Sequence, residues 1–236
     1  MRSDILSEIR RNLESSIDEN TKNNSQRFFR EEVKVYGVKT QIVNTIAKKY
    51  LDRIKEKNKK EIFSLCEELL ESDYLEEAII AFEWAYSLRK YYDGTDFSMF
   101  ERWVEKYVNN WAKCDALCNH SLGSFIEQFP QYVDNLKAWT KSENRWVRRA
   151  SAVTLVLPAR KGDFLDDIFE ICDSLMKDQD DLVQKGYGWL LKETSKTHQN
   201  QVFAYIMKNK KDMPRTALRY AIEKLPPDLR DDAMKK

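Results

Sequence analysis

Turn-forming residues are scarce in this sequence, with six glycines and five prolines in 236 residues. A sheet-rich fold needs more such residues to reverse its chain, so the shortage excludes one and points to helices joined by brief turns. Long apolar runs are also missing. No stretch approaches the roughly 20 residues that a membrane-spanning helix requires, so no membrane association is expected. The N-terminus, MRSDILSEIRRNLESS, is amphipathic and carries acids, unlike a secretory signal or a transit peptide, and a cytoplasmic location is the expectation. Cysteine is limited to Cys66, Cys114, Cys118 and Cys172, scattered at helix-like positions, which reads as reduced, buried thiols. Histidine occurs twice. Cys114, Cys118 and His120 therefore lack a second Cys/His pair to complete a zinc site, and neither a metal nor another cofactor is expected. The formal net charge of +1 gives no support to a generic polyanion binder.

What is present is apolar content for a core, 42%, on a chain kept soluble by 33% charged residues. Apolar residues recur at three- and four-residue steps, as in Ile42, Ile46, Tyr50 and Ile54, or Leu218, Ile222 and Leu225. Breaks fall at Tyr36-Gly37, Asp93-Gly94, Pro130, Lys161-Gly162, Met213-Pro214 and Pro226-Pro227, and Thr40, Ser72, Thr95, Asn144 and Asp181 are candidate caps. No segment reads as a strand. The segments SDYLEEAIIAFEWA, ENRWVRRASAVTL and DDLVQKGYGWLLKE share a capping residue, a bulky apolar residue, a polar pair and a small residue. Those small residues, Ala78, Ala150 and Gly186, lie two periods and one period of 36 apart; Cys114 fills the gap and Ala221 falls near the next position. A period of about 36 in an all-helical chain predicts an α-solenoid of HEAT-like helix pairs. The expected organisation is one domain over 1–236, with N-terminal helices in 1–57 and degenerate repeats in 58–236.

The near-neutral total conceals segregated charge. Glu61 to Glu83 holds eight acids and no Lys or Arg, whereas Lys137 to Lys161 holds seven bases and one acid, Glu143. The second run suits a phosphate backbone, although solvated helix faces are the commoner outcome for such runs.

The stretch NNWAKCDALCNH, residues 109–120, sets Trp111 four residues before Asp115, a spacing that stacks the two on a helix. Counted from the small column, Trp111 sits at −3, Asp115 at +1, Arg149 at −1 and Trp189 at +3 of successive repeats. Positions +1 and −1 are about 160° apart on an ideal helix, so this register alone does not make the four converge.

The blocks WAKCD, ENRWVRRASAV and VQKGYGWLLKE, in that order within a span from RFFREEVKVYGV (27–38) to MPRTALRYAIEKL (213–225), resemble the bacterial DNA alkylation repair proteins, the AlkD-like DNA glycosylases. The resemblance implies a curved HEAT-like solenoid whose basic concave face holds duplex DNA, acting as a monomer without cofactor in base excision repair. It implies excision of N3- or N7-alkylated purines by hydrolysis of the glycosidic bond. By position it makes Asp115 the catalytic aspartate, Trp111 and Trp189 the aromatics beside the lesion, and Arg149 the phosphate-binding arginine, with Arg148 as the other assignment. Arg145, Lys185, Lys192, Arg215, Arg219 and Phe28 are further DNA-contact candidates. Asn110 stands where some relatives carry a second aromatic, and Phe28 stands where an aromatic that could be tyrosine is expected, without the hydroxyl. Trp84, Trp103, Trp139 and Trp146 are assigned to packing. A non-catalytic DNA-binding protein that recognises distorted or branched duplex, and a protein-interaction scaffold, are the competing classes.

Overall fold

The computed structural model describes residues 2–235, and among them there are helices and no strand. No helix in this range is long and apolar enough to cross a membrane. Six helices mark a regular beat along the chain: Thr40–Ile54, Leu75–Ser87, Trp111–Ala116, Arg145–Val153, Asp181–Thr194 and Arg215–Ala221 begin 34 to 36 residues apart. Each is followed by further helix, such as Lys59–Leu70, Asp96–Tyr107 or Leu165–Leu175, before the next begins.

The local chemistry at the helix starts differs in part from expectation. Asn144 does cap its helix, its side chain accepting from the Trp146 N–H. In the following helix the cap is Asp180 rather than Asp181; its carboxylate accepts from Leu182 and Val183. Thr40 is already inside its helix, behind Lys39. Ser72 accepts from Tyr74 N–H one turn ahead of Leu75–Ser87 instead of capping that helix directly. Asn58 makes a full capping box with Glu61, which the acidic run had hidden.

Contacts gather the chain into two compact units, Met1–Asp96 with Tyr107–Ala116, and Phe97–Lys106 with Leu117–Lys236. In the first unit Leu75–Ser87 packs on Thr40–Ile54, Lys59–Leu70 and Trp111–Ala116. Trp84 is fully buried there, and its indole N–H donates to the Ala47 carbonyl at 2.8 Å. The acidic run is only partly a wet face: Glu76 and Glu77 are buried. Glu76 accepts the backbone N–H groups of Tyr36, Gly37 and Val38, while Glu77 takes the Tyr36 hydroxyl and Arg10. These bonds tie the loop before Thr40–Ile54 to the helix start, satisfying donors that would otherwise be costly to bury.

In the second unit Asp181–Thr194 is the central helix, packed against Arg145–Val153, Val156–Lys161, Leu165–Leu175 and Arg215–Ala221. Gly188 permits the closest of these approaches. A Cβ there would lie 2.7 Å from the Ala217 carbonyl and 2.8 Å from Tyr220 Cβ. Phe97, Phe125, Tyr132 and Trp139 form an aromatic cluster in the same unit, with Trp139 donating to Glu101 at 2.8 Å. All four cysteines are buried thiols, and burial pushes those of Cys66 and Cys172 up, away from the reactive thiolate.

Candidate functional site

The six tryptophans separate by exposure. Trp84, Trp103, Trp139 and Trp146 are buried, as packing residues should be, whereas Trp111 and Trp189 are only half-buried. Part of each of these two indoles is therefore open to contact from outside the core.

Trp111 opens its helix. Asn110, fully buried, is the cap: its side chain accepts from the Lys113 N–H at 3.0 Å, and its carbonyl from Cys114. The departure from aromatic character at position 110 therefore has a local purpose, starting the helix. Because Trp111 lies within the first turn, Asp115 follows it one turn later on the same face, half-buried. Lys113, 1% exposed, reaches away to Asp73, donating to its carboxylate and to its carbonyl at 3.1 Å. Asn109 binds the same carboxylate at 2.8 Å. Asp73 has φ of +65°, which a non-glycine residue rarely adopts, and these two partners hold it there. The indole of Trp111 is fixed from a distant segment. Its N–H donates to the Phe28 carbonyl at 3.1 Å, and the Phe29 ring stacks on it at 5.3 Å. Phe28 itself is 71% exposed.

In the second unit Arg149 is 5% exposed and donates to the Leu182 carbonyl of the next helix. Its stem lies on Gly186, where a Cβ would come within 3.3 Å of Arg149 Cγ and 3.5 Å of Nη1. The smallness of Gly186 makes room for this side chain. Leu182, Gly186, Trp189 and Glu193 recur at helical spacing and form one stripe along Asp181–Thr194. Arg149 thus packs on Gly186, one turn before Trp189 on that stripe, with its guanidinium at the Leu182 carbonyl one turn further back. The Trp189 N–H donates to Glu193 Oε1 at 3.3 Å, and Glu193 Oε2 receives Arg160 at 2.7 Å and Lys196 at 2.5 Å. Burial works to raise the Glu193 carboxyl, but the hydrogen bonds from Lys196 and Arg160 prevail and hold it below its ordinary value.

The helix starts also correct the register. Asp115, Arg149, Lys185 and Arg219 are each the fifth residue of their helices. The small column missed this because Cys114 is fourth in its helix whereas Ala150 and Gly186 are sixth.

Most bases of the Lys137–Lys161 run are paired. Lys137 meets Asp167 and Glu170, Arg145 meets Asp180, Arg148 meets Asp178, Arg160 meets Glu193 and Lys161 meets Glu127. Arg148 also donates to the Ser142 and Glu143 carbonyls, so it clamps the turn before its own helix. Lys185 pairs with Asp181 and Lys192 with Glu223. Arg215 and Arg219 are exposed on Arg215–Ala221. The run is therefore a set of ties to acids outside it, Glu127 from earlier in the chain and the others from later, rather than a bare positive strip.

Helix pairs repeated at this spacing define an all-α helical-repeat protein of the α-solenoid class. The fold is similar to that of a predicted DNA alkylation repair enzyme from Enterococcus faecalis, with a TM-score of 0.80 at 16% identity over 90% of this chain and 98% of the other. A weaker likeness, TM-score 0.54 at 16% identity, is to Pseudomonas fluorescens alkylpurine DNA glycosylase AlkC bound to DNA containing an abasic site analog. That likeness covers 95% of this chain and 62% of AlkC. No curated protein matches in sequence. The chain belongs to the DNA alkylation repair enzyme family, whose sequence model matches residues 9–225.

Proposed function

We propose that this chain is a DNA glycosylase that excises cationic N3- or N7-alkylated purines from duplex DNA. The observation that carries the reading is the pair of half-buried tryptophans with bonded N–H groups, each one helical turn from a carboxylate: Trp111 with Asp115, and Trp189 with Glu193, with Arg149 packed on Gly186 one turn before Trp189. Membership of the alkylation repair family supports it.

The chemistry suits these residue types. Alkylation at N3 or N7 makes the purine cationic, so the C1′–N9 bond breaks with its electron pair returning to the ring and a neutral base departing. No strong general acid is required. The sugar left behind is oxocarbenium-like, and the Asp115 carboxylate stabilises that charge and orients a water. Water adds at C1′ and loses its proton, with Asp115 as the nearest base in this reading. The indole faces of Trp111 and Trp189 attract the cation, at about 0.5–2 kcal/mol each. Arg149 takes an adjacent phosphate. Arg148 is the other candidate for that contact; it is held by Asp178 and two carbonyls, as Arg149 is held by the Leu182 carbonyl, so either exchanges a partner to take a phosphate. Arg145, Lys185, Lys192, Arg215, Arg219 and Phe28 supply backbone and groove contacts.

The test is release of free 7-methylguanine or 3-methyladenine from methylated duplex, compared with Asp115→Asn. Release by the wild type and loss in the variant is the expected result. Duplex binding without release from any alkylated substrate would overturn the enzyme and leave the non-catalytic DNA-binding reading. Absence of binding even at low salt would exclude both.

A further inference from the structure

We propose that Glu193 is a positioning residue, whose buried carboxylate fixes the plane of the Trp189 indole for the reaction. The inference rests on the reading of Trp189 as an aromatic wall beside the lesion. Three features of the geometry lead to it.

The first is burial without need. Glu193 is 3% exposed, and a carboxylate so placed costs free energy unless it is fully partnered. Its two cations do not require that depth, since the side chains of Arg160 and Lys196 are both 43% exposed. The second is the division of the carboxylate. Both cations approach Oε2, leaving Oε1 directed to the Trp189 N–H. The third is leverage. Arg160 comes from Val156–Lys161, a neighbouring helix, so Glu193 is pinned from outside its own helix and transmits that restraint to the indole one turn away. A half-exposed indole N–H would satisfy itself with water. Water leaves the ring free to turn about χ1 and χ2, whereas an anchored carboxylate does not.

The experiment uses the full-length chain. In a proton–nitrogen spectrum the Trp189 indole N–H is assigned by its disappearance in Trp189→Phe. Glu193→Gln is expected to shift that resonance and speed its exchange with water, while the resonance of Trp111 and those of the four buried tryptophans stay in place. Glu193→Asp keeps a charge for Arg160 and Lys196 but withdraws the acceptor by one methylene, and is expected to give the same shift. An unmoved Trp189 resonance in both variants overturns the proposal.

Single-turnover excision supplies the second reading. Glu193→Gln is expected to slow base release roughly tenfold, the scale of losing a charged acceptor. In a Trp189→Phe background the same change should have no further effect, because the donor is already gone. Equal slowing in both backgrounds means that Glu193 acts otherwise, and overturns the proposal. A wild-type chain that releases no base defeats the glycosylase reading instead, and the spectrum alone then decides the role of Glu193.

Discussion

Trp111 and Trp189 are both half-exposed indoles with a bonded N–H, yet they are restrained in opposite ways. Trp111 stands at the first position of its helix and is held by chain 83 residues away, through the Phe28 carbonyl and the Phe29 ring. Trp189 stands in the middle of a 14-residue helix and is held by Glu193, four residues on in that helix. One restraint is neutral and long-range; the other is charged and local. The first turn of a helix leaves N–H groups without intrahelical partners, so the first unit stabilises its aromatic there with the Asn110 cap, the Lys113–Asp73 tie and a stacked ring. The long central helix of the second unit needs only a partner at i+4, itself anchored from a neighbouring helix.

The largest effect expected from contrasting the halves is on chemistry. Asp115→Asn should lower single-turnover base release by about 10²- to 10³-fold, the scale of removing a charge that faces the transition state. Duplex affinity should be unchanged or tightened, since a negative charge is lost. Trp189→Ala should cost less, no more than about 30-fold, the upper range of one cation–π contact. Equal losses in the two variants would break the division of labour proposed here.

Stability separates the halves next. Gly188→Ala places a Cβ 2.7 Å from backbone in the second unit, where nothing can swing aside. A loss of about 1–3 kcal/mol in denaturant unfolding is expected. Gly186→Ala meets the flexible stem of Arg149 at 3.3 Å and should be milder for stability than Gly188→Ala, while displacing Arg149. If the two alanines destabilise alike, the close helix approach at Gly188 is not what sets it apart. Phe29→Leu removes only a stacked ring from Trp111, worth about 0.5–1.5 kcal/mol. It should loosen the Trp111 indole and leave Trp189 unaltered, as tryptophan relaxation measurements can show.

These contrasts also explain what could be read without the fold. Helical class, repeat spacing and the separation of packing tryptophans from Trp111 and Trp189 follow from periodicity, punctuation and resemblance, and the helix starts at 34- to 36-residue intervals agree with the repeat. The register failed because small residues serve different neighbours: Gly186 yields to Arg149, and Gly188 to Ala217. Caps, not small residues, mark equivalent positions, and Asn110 and Asp180 give the phase correctly. The Phe29–Trp111 stack had no local trace, since only the folded chain joins segments so far apart. Glu193 did have one, a carboxylate four residues after a tryptophan in a helical block. The pairing of the basic run was hard to see because its acids Asp167, Glu170, Asp178 and Asp180 come from a later helix and the loop after it.

The smallest predicted effect follows from the chemistry of the two acceptors. The Phe28 carbonyl does not titrate, whereas Glu193 does. Burial pushes Glu193 up but the Lys196 and Arg160 hydrogen bonds outweigh it, so its folded value lies below its ordinary one. A depressed carboxylate contributes stability that is present above its ordinary value and lost as pH falls through the lower, folded one. The Trp189 indole N–H resonance should therefore hold steady as pH drops through the ordinary glutamate range. It should move only below that range, when Glu193 gains a proton and releases Arg160 and Lys196. The Trp111 resonance should show no such step while the backbone spectrum remains folded. A Trp189 step at or above the ordinary glutamate value would mean that the two cations do not hold the carboxylate ionised. A simultaneous step at Trp111 would mean that the two indoles share one acid-sensitive event, and the distinction between a charged local restraint and a neutral distant one would fail.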